Sequence, residues 1–171
     1  RSLDAAAVEV ADLFSKYRLS EALMLVYKLF WDEFSSWLLE IVKPAYGQPI
    51  NGFIYSMVLS SFERLLELLH PFMPFITEEI FCSLQDEEES IMVSDWPVFE
   101  EAFDFKAEEN EVEVIKNAVR NIRNLRADMN VPPSKKASVY VVSEKEEVRK
   151  VFEDSRVFFA TLGYASEVHV Q

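Results

Sequence analysis

The residues able to do chemistry are few and widely spaced. Glu67-Leu68-Leu69-His70 has the Glu-x-x-His spacing that, on a helix, turns a carboxylate and an imidazole toward one metal ion. A carboxylate-bridged di-metal site needs two such elements, and the other histidine, His169, falls in an expected strand. His70 is therefore expected to end a helix and hydrogen-bond locally. Cys82, the single cysteine, is nucleophilic in type. It stands among Ile80, Phe81 and Leu84 with no histidine near it in sequence, so it is expected to fill core space as a small hydrophobe. Glu78-Glu79 suit the positive end of a helix better than an acid–base pair. Three glycines in the whole chain cannot build a phosphate-cradling loop. No catalytic residue and no metal ligand set is assigned.

Binding is the more promising chemistry. The net charge is −13, which at first argues against a nucleic-acid partner, but its distribution is uneven. Residues 53–115 carry 2 basic and 16 acidic side chains, whereas residues 116–136 carry 6 basic ones and only Asp128 against them. On a helix, Lys116, Arg120 and Arg123 fall within about 60° of one another, and Arg126 extends that arc. Lys135 and Lys136 follow a Pro132-Pro133 turn. Such a strip reads either as a solvated helix face or as a phosphate-binding edge. Earlier in the chain, Leu39 lies about 160–200° around its helix from Trp37 and Ile41, on a stripe with Glu21, Lys28, Asp32 and Ser35. An apolar side chain there can pack against a partner, or the helix can be buried on two sides.

Helices must position these groups. Glycine poverty and long apolar periodicity favour them over a β-rich fold. The first is expected over Leu3 to Lys16 with Ser2 as its cap, and the chain breaks near 17–19. The second runs from a Ser20 cap to Lys43, with Leu19, Leu23, Phe30, Phe34, Trp37 and Ile41 inward, until Pro44, Gly47 and Pro49 stop it. A third covers Ile54 to His70, and a short fourth follows Pro71 and Pro74 to Leu84. Residues 86–107, which include the acidic patch 86–89, read as an irregular crossing pinned by Ile91-Met92-Val93 and Trp96-Pro97. A fifth helix spans Glu108 to Met129, with Ile115, Val119, Ile122, Leu125 and Met129 inward. The tail then changes period. Residues 137–142 and 167–170 read as strands around a helix that a Ser143/Glu146 capping box opens and Gly163 closes.

Half the residues are hydrophobic, so a sizeable core can form and disorder is excluded. No apolar run reaches the roughly 18 residues of a membrane span. The first residues form no signal region and lack an initiator Met, so a piece of a longer or processed chain is expected. One cysteine cannot form an internal disulfide, and the cytoplasm is the expected compartment.

Several segments together resemble one family. Glu21-Ala22, the run from Val26 to Phe34, Trp37-Leu38-Leu39-Glu40 and Lys43-Pro44 are similar to the central helix of the anticodon-binding domain of the valyl-tRNA synthetase family. The run from Leu68 to Glu79, which contains His70-Pro71-Phe72-Met73-Pro74-Phe75, resembles that family's next landmark. Trp96-Pro97 and the run from Ile122 to Pro133 match later ones. Order and spacing agree over roughly residues 13–142. Isoleucyl, leucyl and methionyl enzymes share the helical domain, and the Phe-Trp-Asp-Glu-Phe and Arg-Ala-Asp-Met-Asn-Val-Pro-Pro runs point to the valyl member. The family commonly has Cys-Asp at Ser35-Ser36, often Tyr at Leu38 and Trp at Phe81.

The resemblance implies a mainly α fold. This is an antiparallel helical bundle of the class I synthetase anticodon-binding type over 1–133, with a small β-α-β appendage over 134–171 that is expected to lean on the bundle or to have lost further strands. It implies an enzyme that joins valine to its tRNA using ATP and magnesium, to which this chain contributes tRNA binding and orientation but no chemistry. The family's His-Ile-Gly-His-like and Lys-Met-Ser-Lys-Ser-like motifs do not occur here. The partners implied are valine tRNA and the catalytic, editing and coiled-coil parts of the same polypeptide, with no membrane. Leu39 corresponds to an apolar residue that approaches an anticodon base in the family. Lys28, Lys43, Arg120, Arg123 and Arg126 are the candidates for phosphate. The alternatives are the matching domain of an isoleucyl or leucyl enzyme, a helical protein-interaction scaffold, or a carboxylate metalloenzyme.

Overall fold

The computed structural model describes residues 2–84, 90–98 and 105–171. Ser2 is the first residue of α1; its side chain, on which the expected cap rests, is not described, and the acidic patch 86–89 lies outside the described residues. The chain divides into two compact units, 1–104 and 105–171. The division falls ahead of the fifth helix, whereas the diproline at 132–133 suggested a boundary after it. The fold is mainly α with a two-stranded parallel sheet.

In the first unit, α1 (Ser2–Ser15) and α2 (Leu19–Lys28) are joined by a tight turn. Tyr17 takes a left-handed φ of 57°, and the Arg18 and Tyr17 amides donate to the carbonyls of Leu13 and Phe14. This is the paired bonding of a Schellman cap, made with Tyr in place of the usual Gly. The next helix therefore opens at Arg18, which pairs with Glu21. Ser20 lies inside α2, and no side chain caps that end. The helix continues as a π segment (Leu29–Leu38) and ends as α3 (Leu39–Val42).

Ten residues of π-helix are unusual, because the wide turn is commonly a single bulge near a functional site. It resets the inward face. Ala22, Val26 and Leu29 are buried at spacings of four and three, and then Phe34 follows at five. Trp37 is buried as expected, and Phe30 and Ile41 are half-buried. Leu19 and Leu23, expected inside, are exposed. Small residues take their place: Ala6 and Ala7 of α1 and Ala22 of α2 are buried, which lets the two backbones approach.

Helix α4 (Gly52–Leu69) starts at Asn51, whose side-chain oxygen accepts from the amides of Phe53 at 2.9 Å and Ile54 at 3.3 Å. Helix α5 (Pro74–Leu84) places a proline in its first turn, where a missing N–H is harmless. The core joins Val10 and Leu13 of α1 to Val26, Leu29 and Phe34, and to Leu65 and Leu68 of α4. Phe34 stacks on Phe62 at 5.6 Å. Within the expected irregular crossing, Ile91–Val93 form one 3-10 turn. Ile91 packs with Leu66 and Phe81, and Trp96 meets Phe14 edge-on at 6.0 Å. Met92 and Val93 are exposed.

The second unit has α6 (Lys106–Asp128), β1 (Ala137–Val141), α7 (Glu146–Asp154), α8 (Arg156–Leu162) and β2 (Ala165–Val170). The strands are parallel, pairing Ala137 with Ala165 and Val141 with Val170, with one irregularity between 137 and 139. Phe152, Phe159, Leu162 and Ala165 are buried behind them. Two expectations need correction. The helix between the strands breaks at Ser155, and no capping box forms, since Ser143 Oγ accepts from the Lys145 amide instead of opening α7. Along α6, Ile115 and Val119 are buried and Ile122 half-buried, but Leu125 and Met129 are exposed, so the inward stripe stops short of the C-terminal turn. Among the described residues no helix is long and apolar enough to cross a membrane.

Candidate nucleic-acid interface

Leu39 sits where the π segment returns to α geometry and is 37 % exposed, so it is available to a partner. Ser36 braces the wide turn before it, its hydroxyl donating to the Trp31 carbonyl at 2.8 Å. Lys28 and Lys43 lie exposed at the two ends of this stretch. Lys43 leaves the helix in extended backbone, as a residue before proline should, and its ammonium pairs with Glu40. Spacing of four along the helix runs Leu23, Tyr27, Trp31, Ser35, Leu39, Lys43. Tyr27 and Trp31 are 55 % and 59 % exposed, with ring centroids 6.5 Å apart and planes within 6°. Exposed parallel rings beside a lysine suit base stacking. Neither ring is among the inward residues or the site residues expected from the sequence, and the spacing of four with Leu39 is the signal that could have found them.

The basic strip of α6 is less uniform than its sequence. Lys116 is buried, 5 % exposed, and its ammonium lies 3.0 Å from Glu113. Arg120 donates to Glu113 at 2.9 Å and to Asn117 at 2.9 Å. Burial alone would push the Glu113 carboxyl up, but the hydrogen bonds and charges of Lys116 and Arg120 outweigh it and hold the group below its ordinary value. Arg123 donates from Nε to the Leu162 carbonyl at 2.7 Å. Arg126 donates to the Pro132 carbonyl at 2.9 Å and to that of Lys135. Both guanidiniums lie over the Tyr164 ring, at 6.0 and 5.6 Å from its centre.

The other sequence candidates are placed as follows. His70 Nδ1 is 2.7 Å from Thr77 Oγ1, and Nε2 is 3.0 Å from the Met92 sulfur, the local bonding expected of it. Burial pushes the Glu67 carboxyl up to about 7, offset in part by Arg64. Cys82 is exposed rather than packed in the core, and its thiol donates to Glu78 at 3.5 Å. The apolar side of that turn of α5 is taken by Phe81, one residue and about 100° away. Among the described residues no group of three or more His, Cys, Asp and Glu could hold a metal ion.

Residues 1–141 match the family described as the anticodon-binding domain of tRNA ligase. Similar proteins include a valine–tRNA ligase of Bacteroides fragilis, 59 % identical over 82 % of this chain and 16 % of its own length. The valine–tRNA ligase of Parabacteroides distasonis is 50 % identical over 85 % of this chain and 17 % of its own. That of Clostridium acetobutylicum is 42 % identical over 94 % and 18 %. The chain thus spans about one sixth of the length of the relatives it matches. With a helical core, an exposed Leu39 and a match over most of its residues, the chain belongs to the family of anticodon-binding domains of tRNA ligases.

Proposed function

We propose that this chain is the anticodon-binding region of a valine–tRNA ligase, holding and orienting tRNA while the chemistry takes place on polypeptide outside it. The observation that carries the reading is the family match over residues 1–141 together with relatives named valine–tRNA ligase. The whole ligase joins valine to its tRNA using ATP and magnesium, in the cytoplasm. The residues here do not suit ATP. The His-Ile-Gly-His-like and Lys-Met-Ser-Lys-Ser-like motifs expected of the family are not among them, so the nucleotide is assigned to the rest of the polypeptide. RNA binding is assigned to residues 1–133, with 134–171 as an appendage.

The physical basis is loop recognition. Splayed anticodon bases are read by stacking, apolar contact and edge hydrogen bonds. Leu39 supplies the apolar contact, Lys28 and Lys43 the charge at either end of the same helix, and Arg120, Arg123 and Arg126 a second basic edge. Each group is ranked by its surroundings. Arg120 shares Glu113 with Lys116 and is partly neutralised, whereas Arg126 bonds to carbonyls, which orient its charge without neutralising it.

The test is Leu39→Ala in the full-length ligase. Affinity for valine tRNA is expected to fall by roughly the 1–3 kcal/mol of one base contact, with valine activation by ATP unchanged. Undiminished tRNA affinity would remove Leu39 from the interface. Preference for isoleucine or leucine tRNA in a binding panel would reassign the domain within its family.

A further inference from the structure

We propose that Tyr164 is a positioning residue for RNA phosphate, holding Arg126 beside Lys135 and Lys136 as one preformed anion-binding cluster. The inference rests on the tRNA-binding reading above and extends it to the tail of the chain, since Tyr164 lies beyond the residues that match the family.

Three features build the cluster. Arg126 bonds the carbonyls of Pro132 and Lys135, so the diproline turn folds back against α6 with the Lys135 backbone at the guanidinium and Lys136 next in the chain. Tyr164 fixes the other side. Its ring carries the guanidiniums of Arg126 and Arg123, while its own carbonyl accepts from the Ala137 amide at 3.4 Å, where β1 begins. Tyr164 has φ of 56°, the left-handed conformation of a residue that ends a helix, which turns the chain from α8 into β2. Lys135 and Lys136 are exposed, and none of the ion pairs among the described residues involves them or Arg126. Asp128 is the one acid in 116–136. A guanidinium oriented by carbonyls and a ring face, followed in the chain by two exposed lysines, suits an anionic ligand.

The ligand chemistry follows. Arg offers a fork of N–H donors and Lys a mobile point charge, a combination that matches backbone phosphate better than a base edge. The test is filter binding of valine tRNA to the full-length ligase across a salt series. Arg126→Gln is expected to weaken binding roughly tenfold and to flatten the log–log salt slope by about 1. Tyr164→Leu should weaken it roughly three- to tenfold with the same flattening, Tyr164→Phe should restore it, and the double variant should lose no more than Arg126→Gln alone. Lys135→Gln with Lys136→Gln, which leaves the fold untouched, should flatten the slope by about 2. Loss in Arg126→Gln with none in Tyr164→Leu would overturn the positioning role and leave the binding reading standing. So would a Tyr164→Leu loss that adds to that of Arg126→Gln with an unchanged slope. Unaltered binding in both Arg126→Gln and the lysine double variant would remove the cluster from the RNA altogether, while the Leu39 test decides the wider reading separately.

Discussion

Asp4 of α1 and Arg64 of α4 form an ion pair at 2.6 Å, with Asp4 2 % and Arg64 19 % exposed. Arg64 also donates to the Val98 carbonyl at 2.6 Å, so one guanidinium joins α1, α4 and the chain after the 3-10 turn. Removing one partner from such a pair takes the opposite charge away from a group held largely out of water. Arg64→Met or Asp4→Asn is expected to cost about 3–5 kcal/mol, and Asp4→Leu with Arg64→Met much less, in urea unfolding. Single variants costing under about 1 kcal/mol would show that the pair does not hold α1.

A second prediction concerns pH. Burial raises the Glu67 carboxyl from 4.5 to about 7 in the folded chain, against the partial opposition of Arg64. Between pH 4.5 and 7 the folded state then holds a proton that the unfolded state has released, so this group's contribution to stability falls as pH rises through that window. Glu67 is half-exposed, which screens the effect to the order of 1 kcal/mol. Glu67→Gln should flatten the pH profile of the urea midpoint and raise stability at pH 8. Burial raises Glu63 in the same sense, so a shallow slope should survive. A midpoint at pH 8 lower than that of the parent chain would contradict the assignment.

How far the sequence carried can be judged from particular residues. Helix ends set by proline were readable: Pro44, Pro71 and Pro132 follow real stops and Pro74 opens α5, although the Asn51 cap was missed in favour of a later start. The stripe of the second helix was not readable, because a period of 3.6 cannot anticipate a π segment or the choice of Ala22 over Leu23 for close packing. Leu39 was located correctly as an outward residue. Lys116 was grouped with an exposed basic face, and although its pairing with Glu113 three residues earlier is visible on a helix, its burial by the packing of α6 is not. Tyr164 could not be found at all. Its meaning comes from a contact with Arg126, 38 positions earlier, that only folding creates.

A third prediction tests the tail. A Cβ at Gly163 would lie 2.9 Å from the Phe159 carbonyl oxygen, closer than side-chain carbons approach backbone, although its φ of −95° is ordinary. Gly163→Ala is therefore expected to strain the end of α8 rather than the Gly conformation itself. The cost should be about 1–3 kcal/mol. Amide exchange should accelerate across α8 and β2 while the α1–α4 core keeps its protection. Uniform acceleration through both units would mean that the strain is not local.

The last prediction separates attraction from neutralisation at the end of the Leu39 helix. Lys43 is paired with Glu40, and both side chains are about half-exposed. A pair of that kind contributes little to stability, so Glu40→Gln should leave unfolding almost unchanged. Its effect on RNA should be larger. The substitution frees the ammonium one turn beyond Leu39 and removes a negative charge that would face the phosphates. Affinity for valine tRNA in the full-length ligase should rise about two- to fivefold at low salt, the scale of one exposed charge interaction, and converge with the parent at high salt as screening takes over. Lys43→Gln should move affinity the other way under the same conditions. A Glu40→Gln variant indistinguishable from the parent at low salt would mean that the RNA does not reach this end of the helix, and Leu39 would then have to act without a phosphate anchor beside it.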